Sequence, residues 1–201
     1  MRLIELGDSG GLLVRAIAAQ RAKEAARTGL HVSAIVNDIA KSLYPKKYGS
    51  LMAEDTMYGT QEAGNVFEDI CADQLRRRDT YWAKPDPRTH HGIIGSPDGY
   101  SARARAIDEI KMTWVSEQGF VTTNSAGDIV EESFKFLVYK WQFLFYADAW
   151  DAHRIRLHVL FVRGKKYLAQ PRTFILKPTL AEKAANTKYL VQHAKDRGWL
   201  K

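Results

Sequence analysis

The sequence predicts an α/β sandwich in which a central mixed sheet of about five strands is flanked by helices. Residues 153 to 162 alternate Ile155, Leu157, Val159 and Phe161 with polar residues, the period-two signature of a half-buried strand. Two further strands, Gly92 to Ile94 and Ala106 to Met112, lie on either side of a turn built from Pro97-Asp98-Gly99. Helical segments precede and follow that pair, at Tyr58 to Leu75 and Ser133 to Trp150.

In chain order, Gly10-Gly11 opens an alanine-rich helix to about Arg27, with Leu13, Ile17 and Ala18 on its apolar side. Ser33 is placed as the N-cap of a second helix toward Leu43, ended by Pro45. Residues 46 to 55 are read as a connection. The next helix carries Val66, Ile70, Cys71 and Leu75 as its apolar stripe. Thr80 to Lys84 is a short strand, broken by Pro85-Asp86-Pro87. Beyond the two strands around Asp98, the region from Trp114 to Glu132 holds the turn-rich run Asn124 to Asp128 and reads as a solvent loop, with a DNA-contacting hairpin as the alternative. Trp141, Phe143, Phe145 and Trp150 of the following helix are assigned to the core or a subunit interface. Tyr167 to Leu176 adds a strand bent at Pro171. Thr179-Leu180-Ala181-Glu182 has capping-box spacing and starts a last helix that Gly198 ends. A single domain over 1–201 is expected, with N-terminal helices 10–45, a core 55–177 and a C-terminal helix 179–198.

The chemistry concentrates around Asp98. On a strand through Ala106 to Met112 side chains alternate faces, so Ile107, Glu109 and Lys111 share one face and Ile110 takes the other. Carboxylates from neighbouring strands, Asp98 and Glu109, can share one hard cation, and the Ile110 carbonyl can add an oxygen. Lys111 then stands beside the water or phosphate on that metal. This is equipment for metal-assisted phosphodiester hydrolysis. The bland reading is a solvated hairpin with surface charges. Glu68 on the upstream helix supplies another acid. Gln142 and Tyr146, four residues apart, put two polar tips on one face of an apolar helix, where an amide needs a partner.

Composition sets bounds. The formal net charge of +7 and pI near 9.4 suit an anionic partner. Basic candidates are Arg76-Arg77-Arg78, Arg103 with Arg105, and Arg163-Gly164-Lys165-Lys166. The first of these reads equally as a cap on the negative end of its helix. Arg103 and Arg105, on the connection between the two strands, are candidate phosphate contacts. His90 and His91 read as surface residues. One cysteine, Cys71, excludes an intramolecular disulfide framework and a cysteine-held iron–sulfur cluster. No apolar run reaches the ~20 residues of a membrane helix. Met1 to Asp8 carries acids and lacks a signal-peptide pattern, so a soluble cytoplasmic protein is expected.

These residues support a resemblance. Ser96-Pro97-Asp98-Gly99 with Glu109-Ile110-Lys111 is similar to the core motif of the PD-(D/E)xK nucleases, in the RecB-like and λ-exonuclease (YqaJ-type) branch. Gly64-x-x-x-Glu68 resembles the branch's upstream helix motif, and Gln142-x-x-x-Tyr146 its Q-x-x-x-Y helix. Arg27 and Ser33 resemble the arginine and serine that hold a phosphate of the DNA end, although their spacing differs slightly from the usual one. Glu62 competes with Glu68 for the upstream acidic role.

The resemblance implies a restriction-endonuclease-like core and a Mg²⁺-dependent deoxyribonuclease, with Mn²⁺ substituting. Asp98, Glu109, Glu68 and the Ile110 carbonyl would hold the metal, Lys111 would serve the attacking water and the phosphoryl charge, and Gln142 and Tyr146 would steady the site. A phage or bacterial recombination exonuclease acting on double-stranded ends is the favoured member. A homotrimer and a single-strand annealing partner are implied by analogy, in the cytoplasm of a bacterial or phage-infected cell. The alternatives are a structure- or sequence-specific endonuclease and, less favoured, an inactive DNA-binding scaffold.

Overall fold

A computed structural model of the chain describes residues 28–55, 60–162 and 170–201. The expected helix up to Arg27, Arg27 itself and the Arg163 to Lys166 run lie outside the described residues. Three helices come first: α1 (Val32–Leu43), α2 (Pro45–Asp55) and α3 (Thr60–Arg78). Short strands β1 (Trp82–Ala83), β2 (Arg88–His90), β3 (Ile93–Gly95) and β4 (Gly99–Ser101) lead into β5 (Ala106–Thr113). A 3₁₀ turn (Glu117–Gly119), β6 (Val121–Thr123) and β7 (Ile129–Glu132) come next, then α4 (Phe134–Ala149), β8 (Arg154–Phe161), β9 (Gln170–Leu176) and α5 (Leu180–Asp196).

The main sheet has five strands in the order β1-β4-β5-β8-β9. It is mixed, as the pattern predicts: β4 and β5 are antiparallel, β5 and β8 parallel, β8 and β9 antiparallel. Parallel β5 and β8 require a crossover, and α4 is within it. Register pairs Ile107 with Ile155 and Glu109 with Leu157, so one face of the sheet presents Ile107, Ile155, Leu157, Val159 and Phe161, all fully buried. Helix α4 contacts β2, β3, β5 and β8 and also α1 and α5, which explains why apolar residues surround most of it. Phe136, Phe143 and Phe145 of α4 are buried, each side chain contributing about 1.5–3 kcal/mol of transfer free energy. Trp150 is buried too, whereas Trp141 is only partly buried where it packs against the core. The capping box expected at Thr179 is present, and Ser133 caps α4. Ser133 Oγ accepts from the Phe136 N–H at 3.0 Å, and Thr179 and Glu182 form a reciprocal capping box on α5. His193 and Arg197 both reach Asp38 Oδ2 at 2.7 Å, clamping the end of α5 to α1.

Several expectations are corrected. The N-cap of α1 is His31 and not Ser33, because the extended chain is held up to that point by the Ile94 N–H donating to the Leu30 carbonyl at 2.8 Å. Residues read as a connection form α2, with Pro45 at its first position, where the missing N–H costs nothing. The inner stripe of α3 is shifted by one residue. Phe67, Cys71 and Leu75 are half-buried and Ala72 is buried, whereas Val66 and Ile70 are 58% and 59% exposed. The segment read as a loop after Trp114 contains the β6–β7 hairpin. Asn124 Oδ1 accepts from the N–H groups of Ala126 and Asp128, and fully buried Phe120 anchors its base against Phe136, Phe161 and Phe174.

Candidate active site

Six elements of the fold open onto one cleft of about 520 Å³. Its walls come from the start of α1 (Ser33), from α3 (Glu68), from the segment after β1 (Lys84), from the β3–β4 link (Asp98), from β5 (Glu109, Lys111) and from α4 (Gln142, Tyr146). Residues separated by up to 113 positions meet because α4 lies across the buried face of β5, the face that carries Glu109 and Lys111.

At the centre, the link between β3 and β4 turns Asp98 toward β5. Asp98 Oδ2 accepts from the Ile110 N–H at 2.7 Å and from Lys111 Nζ at 3.3 Å. Lys111 Nζ is also 2.6 Å from Glu109 Oε1. Glu109 is 1% exposed, and its second carboxylate oxygen, Oε2, has no hydrogen-bond partner. Burial pushes the Glu109 carboxyl up, the Asp98 charge pushes it further, and Lys111 only partly offsets them, leaving it near 8. Burial pulls the Lys111 ammonium down, but the charges of Asp98 and Glu109 outweigh that and hold its pKa well above the usual lysine range. Lys111 is therefore charged over the neutral range.

Behind these groups Gln142 Nε2 donates to Tyr146 Oη at 2.9 Å, so the buried amide has the partner its position requires. Burial and the neighbouring carboxylates push the Tyr146 phenol upward, keeping it protonated. The ring reaches this depth because Gly95 has no side chain: a Cβ there would lie 3.0 Å from Tyr146 and 2.9 Å from Phe145. On the opposite wall Glu68 Oε1 is held by Lys84 Nζ at 2.6 Å.

The reverse face of β5 carries a second charged cluster. Asp108 is fully buried and accepts from Trp82 Nε1 at 3.0 Å and from Arg156 Nε and Nη2 at 2.8 and 2.6 Å. His158 Nε2 lies 2.8 Å from Asp108 Oδ1. Arg76 of α3 stacks on the Trp82 ring, 5.3 Å from its centroid. Trp82 in turn lies flat against Gly99, where any Cβ would overlap the indole. The strand ends that display Asp98 and Glu109 are thus braced from behind. Gly99→Ala is expected to cost more than the ~1–3 kcal/mol of ordinary overpacking, since the buried indole has nowhere to move. Urea unfolding of the purified variant measures it.

Of the residues singled out from the sequence, Ser33, Glu68, Asp98, Glu109, Lys111, Gln142 and Tyr146 line the cleft. The Ile110 N–H and C=O point to the same neighbouring strand, on the side of Asp98. Arg103 and Arg105 do not line it. The β4–β5 hairpin is antiparallel, with Gly99 opposite Asp108 and Ser101 opposite Ala106, so its turn is at the far end from Asp98. Arg105 pairs instead with Asp151. A Cβ at Gly64, one turn before Glu68, would meet no described atom within 4 Å. The Glu62 side chain lies outside the description. His90 pairs with Asp148 at 3.1 Å, away from the cleft residues. The sequence reading missed Lys84, and with it Asn65 and Asp69. No periodicity flags Lys84, which reaches the cleft only because β1 pairs with β4.

The donor set suits a hard divalent cation. Among the described residues no group of three His, Cys, Asp or Glu side chains converges as placed. Yet two mutually repelling carboxylates, one with a buried oxygen lacking any partner, are what an oxygen-seeking ion would relieve. Glu68, a further acid of the cleft, is engaged by Lys84.

No family model matches the chain, and no curated protein sequence matches it. Solved structures do share its fold. The crystal structure of SSO0001 superposes with a TM-score of 0.62 at 14% identity, over 94% of this chain and 85% of that one. A phage-related exonuclease from Haemophilus somnus 129PT gives 0.53 at 16% identity, over 86% and 94%. LHK-Exo, solved in complex with dAMP, gives 0.51 at 11%, over 84% and 87%. At such identities the likeness is one of fold. The α/β core implied by the motifs is therefore the fold this chain has, and two exonucleases share it.

Proposed function

We propose that the chain is a divalent-metal-dependent deoxyribonuclease that hydrolyses phosphodiester bonds at the ends of linear double-stranded DNA. The carrying observation is the Asp98–Lys111–Glu109 constellation, a charged lysine between two carboxylates with a partnerless buried oxygen. The fold shared with two exonucleases and the net charge of +7 support the same reading.

Asp98, Glu109 and the Ile110 carbonyl would hold Mg²⁺, or Mn²⁺ in its place, with Glu68 completing the set. Mg²⁺ bound there would polarise the phosphoryl oxygen and acidify a water. Lys111, protonated at neutral pH, orients the attacking water and presents positive charge to the phosphoryl oxygens as negative charge develops on them. The Gln142–Tyr146 pair keeps the wall behind Lys111 in place, and Ser33 at the start of α1 offers a hydroxyl to the phosphate backbone. A ring-shaped homotrimer and a single-strand annealing partner extend the proposal, and the mass in solution tests the first.

The deciding experiment digests matched linear and covalently closed plasmid with Mg²⁺ and with EDTA, using Lys111→Ala as control. Metal-dependent loss of the linear form alone is expected. Cutting of the closed circle would replace the proposal with an endonuclease, and no cutting in Mg²⁺ or Mn²⁺ with an inactive scaffold.

A further inference from the structure

Lys84 is the one described cleft residue whose partner belongs to the metal-binding set while the lysine itself faces solvent. Its Nζ is 2.6 Å from Glu68 Oε1, and its side chain is 53% exposed against 26% for Glu68. The other cleft lysine, Lys111, is 21% exposed and is committed to Asp98 and Glu109. The cleft sets four acids, Glu68, Asp69, Asp98 and Glu109, against these two lysines. The backbone under Lys84 is fixed, because β1 ends one residue earlier and Pro85 and Pro87 restrict the next few residues. Beyond that anchor, the long flexible stem leaves the ammonium free to change partners.

From this arrangement we infer that Lys84 is an exchangeable counter-ion: it neutralises Glu68 while the metal site is empty and turns to a backbone phosphate of the nucleic acid once a divalent cation takes Glu68. The inference rests on the proposed nuclease reading. A divalent ion on Glu68 weakens that carboxylate's hold on an exposed, mobile lysine, since the two positive charges repel across it. An exposed pair of this kind is weak, so the exchange is cheap. The freed ammonium then sits at the mouth of a cleft made for a polyanion. Metal and nucleic acid therefore help each other bind, and the coupling is reciprocal.

The test uses the full chain and Ca²⁺, a hard cation that occupies oxygen sites. Calorimetry follows Ca²⁺ binding to wild type, Lys84→Met and Lys84→Arg. Anisotropy follows a fluorescein-labelled, blunt duplex of about 20 base pairs with Ca²⁺ or with EDTA, a length that spans the cleft of a single domain. Lys84→Met should bind Ca²⁺ about 2- to 5-fold more tightly, since the competitor is gone. The same variant should bind the duplex more weakly in Ca²⁺, with a salt slope reduced by about 0.9, yet match wild type in EDTA. Lys84→Arg, whose planar fork grips a carboxylate harder, should bind Ca²⁺ less tightly than wild type. Equal loss of duplex affinity with and without Ca²⁺, or unchanged Ca²⁺ affinity in Lys84→Met, would overturn the exchange. Wild type that binds neither Ca²⁺ nor duplex would overturn the nuclease reading with it.

Discussion

Glu109→Gln should abolish cleavage and, in the absence of metal, make the protein more stable. The residue is 1% exposed, beside Asp98, and its second carboxylate oxygen lacks a partner. Its folded-state pKa, near 8, is above the ordinary carboxyl value of 4.5, so the fold favours the protonated form. The stability this contributes is fully present below pH 4.5 and is lost as pH rises through about 8. Glutamine carries no charge at any pH and escapes that loss. Melting temperatures of the two proteins in EDTA should diverge between about pH 4.5 and 8 and keep a constant gap above that, the variant being higher at the alkaline end by on the order of 10 °C, given ~2–4 °C per kcal/mol for a chain of this size. Turnover on linear duplex in Mg²⁺ should fall by at least ~10²–10³. Lys111→Ala should be as inactive but opposite in stability, because it removes the ammonium between Asp98 and Glu109. A Glu109→Gln variant that melts below wild type at about pH 8.5 would show that this carboxylate is not strained in the fold, and the metal-site argument would lose its main support.

That opposition between stability and chemistry also bears on how much of the site is legible in the sequence. Asp98, Glu109 and Lys111 lie within fourteen positions, and turn chemistry plus strand alternation place them without knowledge of the rest of the chain. Local rules suffice there. Glu68, Gln142 and Tyr146 are on long helices whose existence the pattern gives, but their convergence depends on how α3 and α4 cross the sheet, and only the motif resemblance brings them in. Lys84 is illegible. Its route to the cleft depends on the β1–β4 pairing of Trp82 with Ser101, a contact across nineteen positions that leaves no periodic trace.

The misreadings share a physical cause. Helix α3 offers two nearly equivalent apolar stripes, Val66 with Ile70 and Phe67 with Cys71, and packing against β1 and β5 selects the second. Burial, and not propensity, chooses between them. The β6–β7 hairpin is hidden because its strands are short and largely exposed, with Phe120 at the base the one fully buried aromatic to announce it. Arg103 and Arg105 suggest themselves for the site because they are close to Asp98 in sequence. An antiparallel hairpin carries its turn away from its open end, so these two arginines lie outside the cleft.

Asp108→Ala is expected to destabilise the sheet strongly, on the scale of truncating a fully buried apolar side chain there. The carboxylate is fully buried and accepts from Trp82 and twice from Arg156, with His158 against the same oxygen as Arg156 Nε. Removing it strands a guanidinium and an indole N–H, and breaking a buried pair from one side costs about 3–5 kcal/mol. Arg156 keeps 22% of its side chain in contact with water, so the lower end of that range applies. In a chain of this size ~3 kcal/mol lowers the melting temperature by on the order of 10 °C. Asp108→Asn keeps the shape and one acceptor and should lose less. Combining Asp108→Ala with Arg156→Met should recover part of the loss, because the stranded cation goes with its partner, and that non-additivity separates a charge network from simple packing. The site should feel the change as well. Asp108 is next to Glu109 on β5, and Trp82 backs Gly99 next to Asp98, so loosening the network frees both carboxylates. Ca²⁺ affinity in Asp108→Asn, measured well below its melting temperature, should fall although no group facing the cleft has been altered. Unchanged Ca²⁺ affinity in a folded Asp108→Asn protein would confine the network to stability and leave the carboxylates positioned by their own strands.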